Sequence, residues 1–156
     1  MLRTLLTILA LLPGLATAQA LTERPGWAVH PTDKPYEQLV EDTRAAVTAN
    51  GFGVVTQAGP TGAAAARGIT IPGNRVIGVF NNDYAVRILA LSTAAMIEAP
   101  IRLYVTENAD GTATLSYKTP SLVFAPYMEE AGEELEAIAA DLDTRFATIA
   151  EAAVSR

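Results

Sequence analysis

Ile101-Arg102-Leu103-Tyr104-Val105-Thr106-Glu107, then Asn108-Ala109-Asp110-Gly111, then Thr112-Ala113-Thr114-Leu115-Ser116-Tyr117-Lys118: this stretch decides the fold. Two runs of alternating apolar and polar residues flank an Asn-x-Asp-Gly turn. That tetrapeptide suits a type I turn followed by a glycine in the left-handed region, which closes a β-hairpin with a bulge. Placing Asn108 opposite Thr112 sets Val105 against Leu115 and Leu103 against Tyr117. Ile101 and Ala113 join them on one apolar face, while Arg102, Tyr104, Thr106, Thr114, Ser116 and Lys118 share the other. A slip of one residue would oppose Val105 to Thr114 and mix the faces, so the hydrophobic pattern selects this register.

The hairpin predicts a sheet with its apolar side under helices and its hydroxyl-rich side wet or against a polar partner. Arg102 faces Lys118 in this register. Like charges directly opposite are mildly unfavourable, and such a pair suits a carboxylate or another anion.

Upstream, Val76-Ile77-Gly78-Val79-Phe80 reads as an apolar strand feeding Asn81-Asn82-Asp83-Tyr84-Ala85-Val86-Arg87. Asn81 or Asn82 is a good N-cap, and Asp83 in the first turn complements the helix dipole. Ala85, Ile88, Leu89, Ser92 and Met96 recur at spacings of three and four, predicting a helix that Pro100 ends at or before Ala99. Nearer the N-terminus, Gly26 to His30 reads as an opening strand. Thr32 or Asp33 then suits the cap of a helix whose apolar face is Leu39, Val40, Ala46 and Val47 and whose stop is Asn50-Gly51. Phe52 to Gln57 reads as a second strand, and Thr61 to Gly68 as a two-turn helix capped at both ends. Downstream, Leu122-Val123-Phe124 reads as extended. From Pro126, a long helix carries the stripe Leu135, Ile138, Leu142, Phe146, Ile149 and Ala153. Gly132 weakens its first turn by up to about 1 kcal/mol relative to Ala.

Residues 1–20 read as a cleaved export signal, with a basic start at Arg3, an apolar run from Leu5 to Leu12 and small residues at Ala16, Ala18 and Ala20. The expected product, residues 21–156, is a single α+β domain in the periplasm or outside the cell, with no membrane span after cleavage. The chain has no cysteine, so packing alone must hold the fold, and thiol chemistry is excluded. Its formal net charge is −6, one unit more negative once Arg3 leaves with the leader. That balance argues against nucleic acid and anionic lipid as partners.

Phe80-Asn81-Asn82-Asp83, Ala99-Pro100-Ile101, Glu107 ahead of Asp110-Gly111, and Leu115-Ser116-Tyr117 occur in an order that resembles the DUF302 family, small bacterial and archaeal domains of uncharacterised function. The resemblance spans about Tyr36 to Phe124. It implies a TBP-like fold, β-α-β(4)-α in outline: two layers, with a mostly antiparallel sheet and helices packed on one face. It also implies a homodimer as a candidate assembly, and it supplies no reaction, cofactor or ligand. The sequence departs from the family pattern with Asn81 in place of a usual Gly and Asp83 in place of a usual Pro.

No catalytic set, metal-ligand spacing or cofactor motif stands out. His30, the lone histidine, has no nucleophile-elbow sequence to serve. Glu129/Glu133 and Glu130/Glu134 stand four apart, but acidic residues are favoured near a helix N-terminus without any cation. Gly51-Phe52-Gly53 and Gly59-Pro60-Thr61-Gly62 lack phosphate-loop spacing. Two candidate sites remain. One is a cleft near Asn81, Asn82, Asp83, Tyr84 and Arg87, joined by Glu107 and Tyr117, where a helix N-terminus could meet an anion. The other is the sheet face of Arg102, Tyr104, Thr106, Thr114, Ser116 and Lys118. The expected role is a non-enzymatic binding or interaction module; the alternatives are a small-molecule or anion binder near Asn82 and Arg87, or an enzyme using Tyr with Glu107 or Asp83 as base.

Overall fold

A computed structural model of the chain describes residues 21–155, so the expected leader lies outside the described residues. The hairpin forms in the expected register: β4 (Ile101–Glu107) pairs with β5 (Thr112–Lys118), Leu103 opposite Tyr117 and Val105 opposite Leu115. The Asn108 N–H donates to the Thr112 carbonyl at 2.8 Å, and Gly111 takes φ +85°. That conformation costs glycine little and other residues more. The Asp110 carboxylate accepts from the Thr112 N–H at 3.0 Å and from its hydroxyl at 2.6 Å, which fixes the turn from within.

Three further strands extend this hairpin: β1 (Trp27–Pro35), β2 (Gly53–Ala58) and β3 (Asn74–Phe80). Their order is β1-β5-β4-β3-β2, with every neighbouring pair antiparallel. α1 (Tyr36–Ala49) connects the two edge strands, and α5 (Met128–Ser155) packs beside it on the same face of the sheet. Leu39, Val40, Ala46 and Val47 of α1 meet the Leu135-to-Ala153 stripe of α5 and the apolar face of the hairpin in one core. This is the two-layer α+β architecture expected of the sequence.

Four local readings are corrected. β1 runs past His30 to Pro35, so Thr32 and Asp33 lie in the strand instead of capping α1. An edge strand tolerates Pro31 and Pro35, whose missing N–H groups cost no ladder bond there, and the Thr32 hydroxyl donates to the Ala113 carbonyl at 2.8 Å. Thr61 opens α2 (Thr61–Ala65), a shorter helix than expected, as its first residue with no side-chain cap bond. α3 (Asn82–Leu91) stops early, because Ser92 is extended and its hydroxyl accepts from the Ala95 N–H at 2.9 Å while donating to the Glu130 carboxylate. A 3-10 turn, Ala95–Glu98, carries the chain on to Pro100, and Leu89 is left half exposed. Finally, Leu122-Val123-Phe124 is helical within α4 (Pro120–Phe124). Thr119 caps it by accepting from the Leu122 N–H at 3.3 Å, and Pro120 occupies the first helical position, where its fixed φ is favourable.

α5 is interrupted at Gly132, with φ +69° and ψ −164°. The acidic start of the helix therefore sits on a separate short segment, ahead of the continuous buried stripe.

Candidate functional site

The β3–α3 junction is a finished helix cap. The Asn81 side chain accepts from the Asp83 N–H at 2.9 Å and the Tyr84 N–H at 3.4 Å, and its amide donates to the Gly51 carbonyl at 3.0 Å. The Asp83 and Tyr84 N–H groups, which an anion would need, are thus already engaged. The Tyr84 hydroxyl donates to the Asp141 carboxylate, tying α3 to α5, and Arg87 lies 6.0 Å from the Tyr84 ring centroid. Burial and the Asp141 carboxylate both raise the Tyr84 pKa. Asn82 and Asp83 are exposed, and the cavity behind the junction is an apolar space of about 30 Å³.

Glu107 does not join this cluster. Val79 near the end of β3 pairs with Ile101, whereas Glu107 lies at the far end of β4. Six residues of strand separate the two by about 20 Å. There the Glu107 carboxylate accepts from the Gly73 N–H at 2.6 Å. Tyr117 faces the core, 4% exposed, with ring centroids 6.1 Å from His30 and 5.7 Å from Phe146. Burial pushes its pKa up to about 12, aided by Asp143 and Glu151. The expected cleft of Asn82, Arg87, Glu107 and Tyr117 therefore does not assemble, and no base from it reaches the Tyr117 hydroxyl.

The outward face of the sheet is built differently from the wet surface expected. Register places three rungs across it: Trp27, Lys118, Arg102 and Gly78; then Val29, Ser116, Tyr104 and Val76; then Pro31, Thr114, Thr106 and Asn74. Arg102 and Lys118 are exposed, and Tyr104 and Thr106 are half-buried. Thr114 and Ser116, at 3% and 0% exposure, are buried as the floor of a trough. Ser116 is small and lies between the larger Val29 and Tyr104, and the Thr114 hydroxyl donates to the Asn108 side-chain carbonyl at 3.1 Å. Gly78 permits a close approach on the first rung: a Cβ there would stand 2.1 Å from the Thr56 hydroxyl and 2.8 Å from the Pro100 ring.

A cavity of about 370 Å³ opens at the Trp27 end of this face. Trp27, Val76, Tyr104 and Val123 give it apolar walls, Arg102, Lys118, Glu98 and Asn74 give it polar ones, and Ile101 and Tyr117 complete the lining. The Asn74 amide donates to the Tyr104 hydroxyl, which fixes that ring. The Lys118 ammonium and the Arg24 guanidinium lie 5.9 and 5.1 Å from the Trp27 ring centroid. Glu98 accepts from the Tyr127 hydroxyl at 2.8 Å, and its other oxygen stands 3.9 Å from Arg102. On a chain of net charge −6, three cations thus gather at one end of one face. Trp27, Asn74, Val76, Glu98 and Val123 are not among the site residues expected from the sequence. The hairpin register carried onto β3 would have placed Val76 beside Tyr104 and Asn74 beside Thr106. No sequence signal places Glu98 or Val123, which arrive by tertiary packing.

His30 lies on the core face of β1, its Nε2 buried and without a hydrogen-bond partner. Burial lowers its pKa, and Glu151 partly opposes that shift. Among the described residues no group of three or more His, Asp or Glu side chains is placed to hold a metal ion, and no helix is long and apolar enough to cross a membrane.

Comparison with known proteins agrees with the fold. A crystal structure of an uncharacterised conserved DUF302 protein from Bacillus stearothermophilus superimposes with a TM-score of 0.72 at 21% sequence identity, covering 83% of this chain and 98% of that one. A comparison with curated proteins finds no match. The profile of the family described as "Domain of unknown function DUF302" matches residues 28–153. With that match spanning most of the sequence, the chain belongs to the DUF302 family.

Proposed function

We propose that this protein is an exported, non-catalytic binding domain that takes a small molecule with an apolar body and an anionic head in the trough of its open sheet face. One observation carries the reading: a cavity of about 370 Å³ with Trp27, Val76, Tyr104 and Val123 as walls and Arg102 and Lys118 at its edge. Its size falls among small-molecule sites, which span about 300–1,000 Å³ and combine apolar walls with a few placed polar groups. The two cations that oppose each other across the hairpin are relieved by a carboxylate set between them. Export rests on the leader-like residues 1–20.

A thermal-shift panel of aromatic and aliphatic carboxylates tests it. A binder at a hundred times its Kd adds about 2.7 kcal/mol to stability. Arg102→Ala combined with Lys118→Ala removes the gain, and raising the salt concentration weakens it. A panel in which no carboxylate raises the melting temperature of the wild type contradicts the reading.

A further inference from the structure

Building on that binding reading, we propose that the ligand is an α-amino acid with an apolar or aromatic side chain, read at its ammonium by Glu98 and at its carboxylate by Arg102 and Lys118. The inference starts from a pair that is incomplete. Glu98 lines the cavity, and one carboxylate oxygen is occupied by the Tyr127 hydroxyl at 2.8 Å. The other stands 3.9 Å from the Arg102 guanidinium, beyond the 2.7–3.2 Å range of a hydrogen bond. An acid and a base are therefore presented side by side at the cavity wall, as a loose ion pair without a hydrogen bond between them.

A simple carboxylate satisfies only Arg102 and Lys118 and brings a second negative charge up to Glu98. An amine alone satisfies Glu98 and is repelled by the two cations. A molecule carrying both charged groups on one carbon answers both at once, and an α-amino acid has that arrangement. The Glu98 oxygen takes the ammonium, the guanidinium takes the carboxylate, and the side chain runs along Trp27, Tyr104 and Val76. Tyr127 acts as a positioning residue: its hydroxyl holds the Glu98 carboxylate, and that bond is the leading cause of its raised pKa.

Isothermal titration of the full-length mature protein with three probes tests the assignment: L-phenylalanine, 3-phenylpropionate, which lacks the amine, and phenethylamine, which lacks the carboxylate. L-Phenylalanine is expected to bind at least about tenfold tighter than either analogue, as one charged hydrogen bond supplies. Glu98→Gln, which keeps an acceptor for Tyr127, should erase the advantage over 3-phenylpropionate while leaving the affinity for 3-phenylpropionate unchanged or higher. Lys118→Met, an exposed site where folding is not at stake, should weaken L-phenylalanine and 3-phenylpropionate together. If 3-phenylpropionate binds as tightly as L-phenylalanine and Glu98→Gln affects both alike, the amino-acid assignment is overturned while the anion pocket stands. If none of the three binds, the assignment and the pocket reading both fall for this ligand size. Binding of L-phenylalanine that Glu98→Gln and Lys118→Met leave untouched overturns the assignment to this cavity.

Discussion

Asn81 shows how a single side chain can close a site that looks open on paper. An asparagine between a strand and a helix invites a reading as a ligand group. Its carbonyl instead satisfies the Asp83 and Tyr84 N–H groups, and its amide reaches back to Gly51. Where the family pattern has Gly, this chain has a side chain that caps. Replacing Asn81 by Ala should cost about 1 kcal/mol, read as a lower urea midpoint with an unchanged slope. His30 makes a second prediction. Its pKa is lowered in the folded state by burial, so the folded protein binds fewer protons than the unfolded chain. The associated stability is present above the ordinary imidazole value of 6.5 and is lost as pH falls through the lower folded value. Urea midpoints should therefore drop from pH 7.5 toward pH 5, and His30→Phe, beside Tyr117 and away from the open face, should flatten that drop. An equal drop in the variant would place the titration elsewhere.

At the scale of elements, the hairpin carries the fold. Its register follows from a period of two and one turn motif, and it fixes which side of the sheet the helices cover. Leu115, fully buried between its strand neighbours, should cost about 2–5 kcal/mol on truncation to Ala. Gly111→Ala should cost about 1–2 kcal/mol, because φ of +85° is unfavourable for an L side chain. A Gly111→Ala protein as stable as the wild type would mean that the turn adopts another form. The long regular elements were legible for the same reason as the hairpin: α1 and α5 bury stripes at three- and four-residue spacing, and the periodicity is visible without coordinates. The short ones were not. Ser92 ends α3 through a partner distant in sequence, Glu130, and α4 is set by Thr119-Pro120, a cap that an apolar run of three residues masked. The candidate site was half legible. Arg102, Tyr104 and Lys118 share a face by alternation alone, whereas Glu98 and Val123 join them only because a 3-10 turn and α4 fold back beside the sheet. The expected wet hydroxyl face failed at Ser116, a small side chain between Val29 and Tyr104, and at Thr114, whose hydroxyl donates to the Asn108 side chain; alternation reports neither side-chain size nor such a partner.

For the molecule as a whole, one core beneath one sheet leaves the opposite sheet face uncovered by α1 and α5, and the acidic surface is interrupted there by Arg24, Arg102 and Lys118. The helices supply stability, and the exposed face supplies a cavity of about 370 Å³ with both charged and aromatic walls. The account stands on that cavity and not on the β3–α3 junction. Amide chemical-shift mapping distinguishes them in one titration of the isotope-labelled mature protein with L-phenylalanine. The account predicts saturable shifts at Trp27, Val76, Glu98, Arg102, Tyr104 and Lys118, with residues 81–87 unmoved. Shifts concentrated at residues 81–87, or none at all up to millimolar ligand, would contradict it.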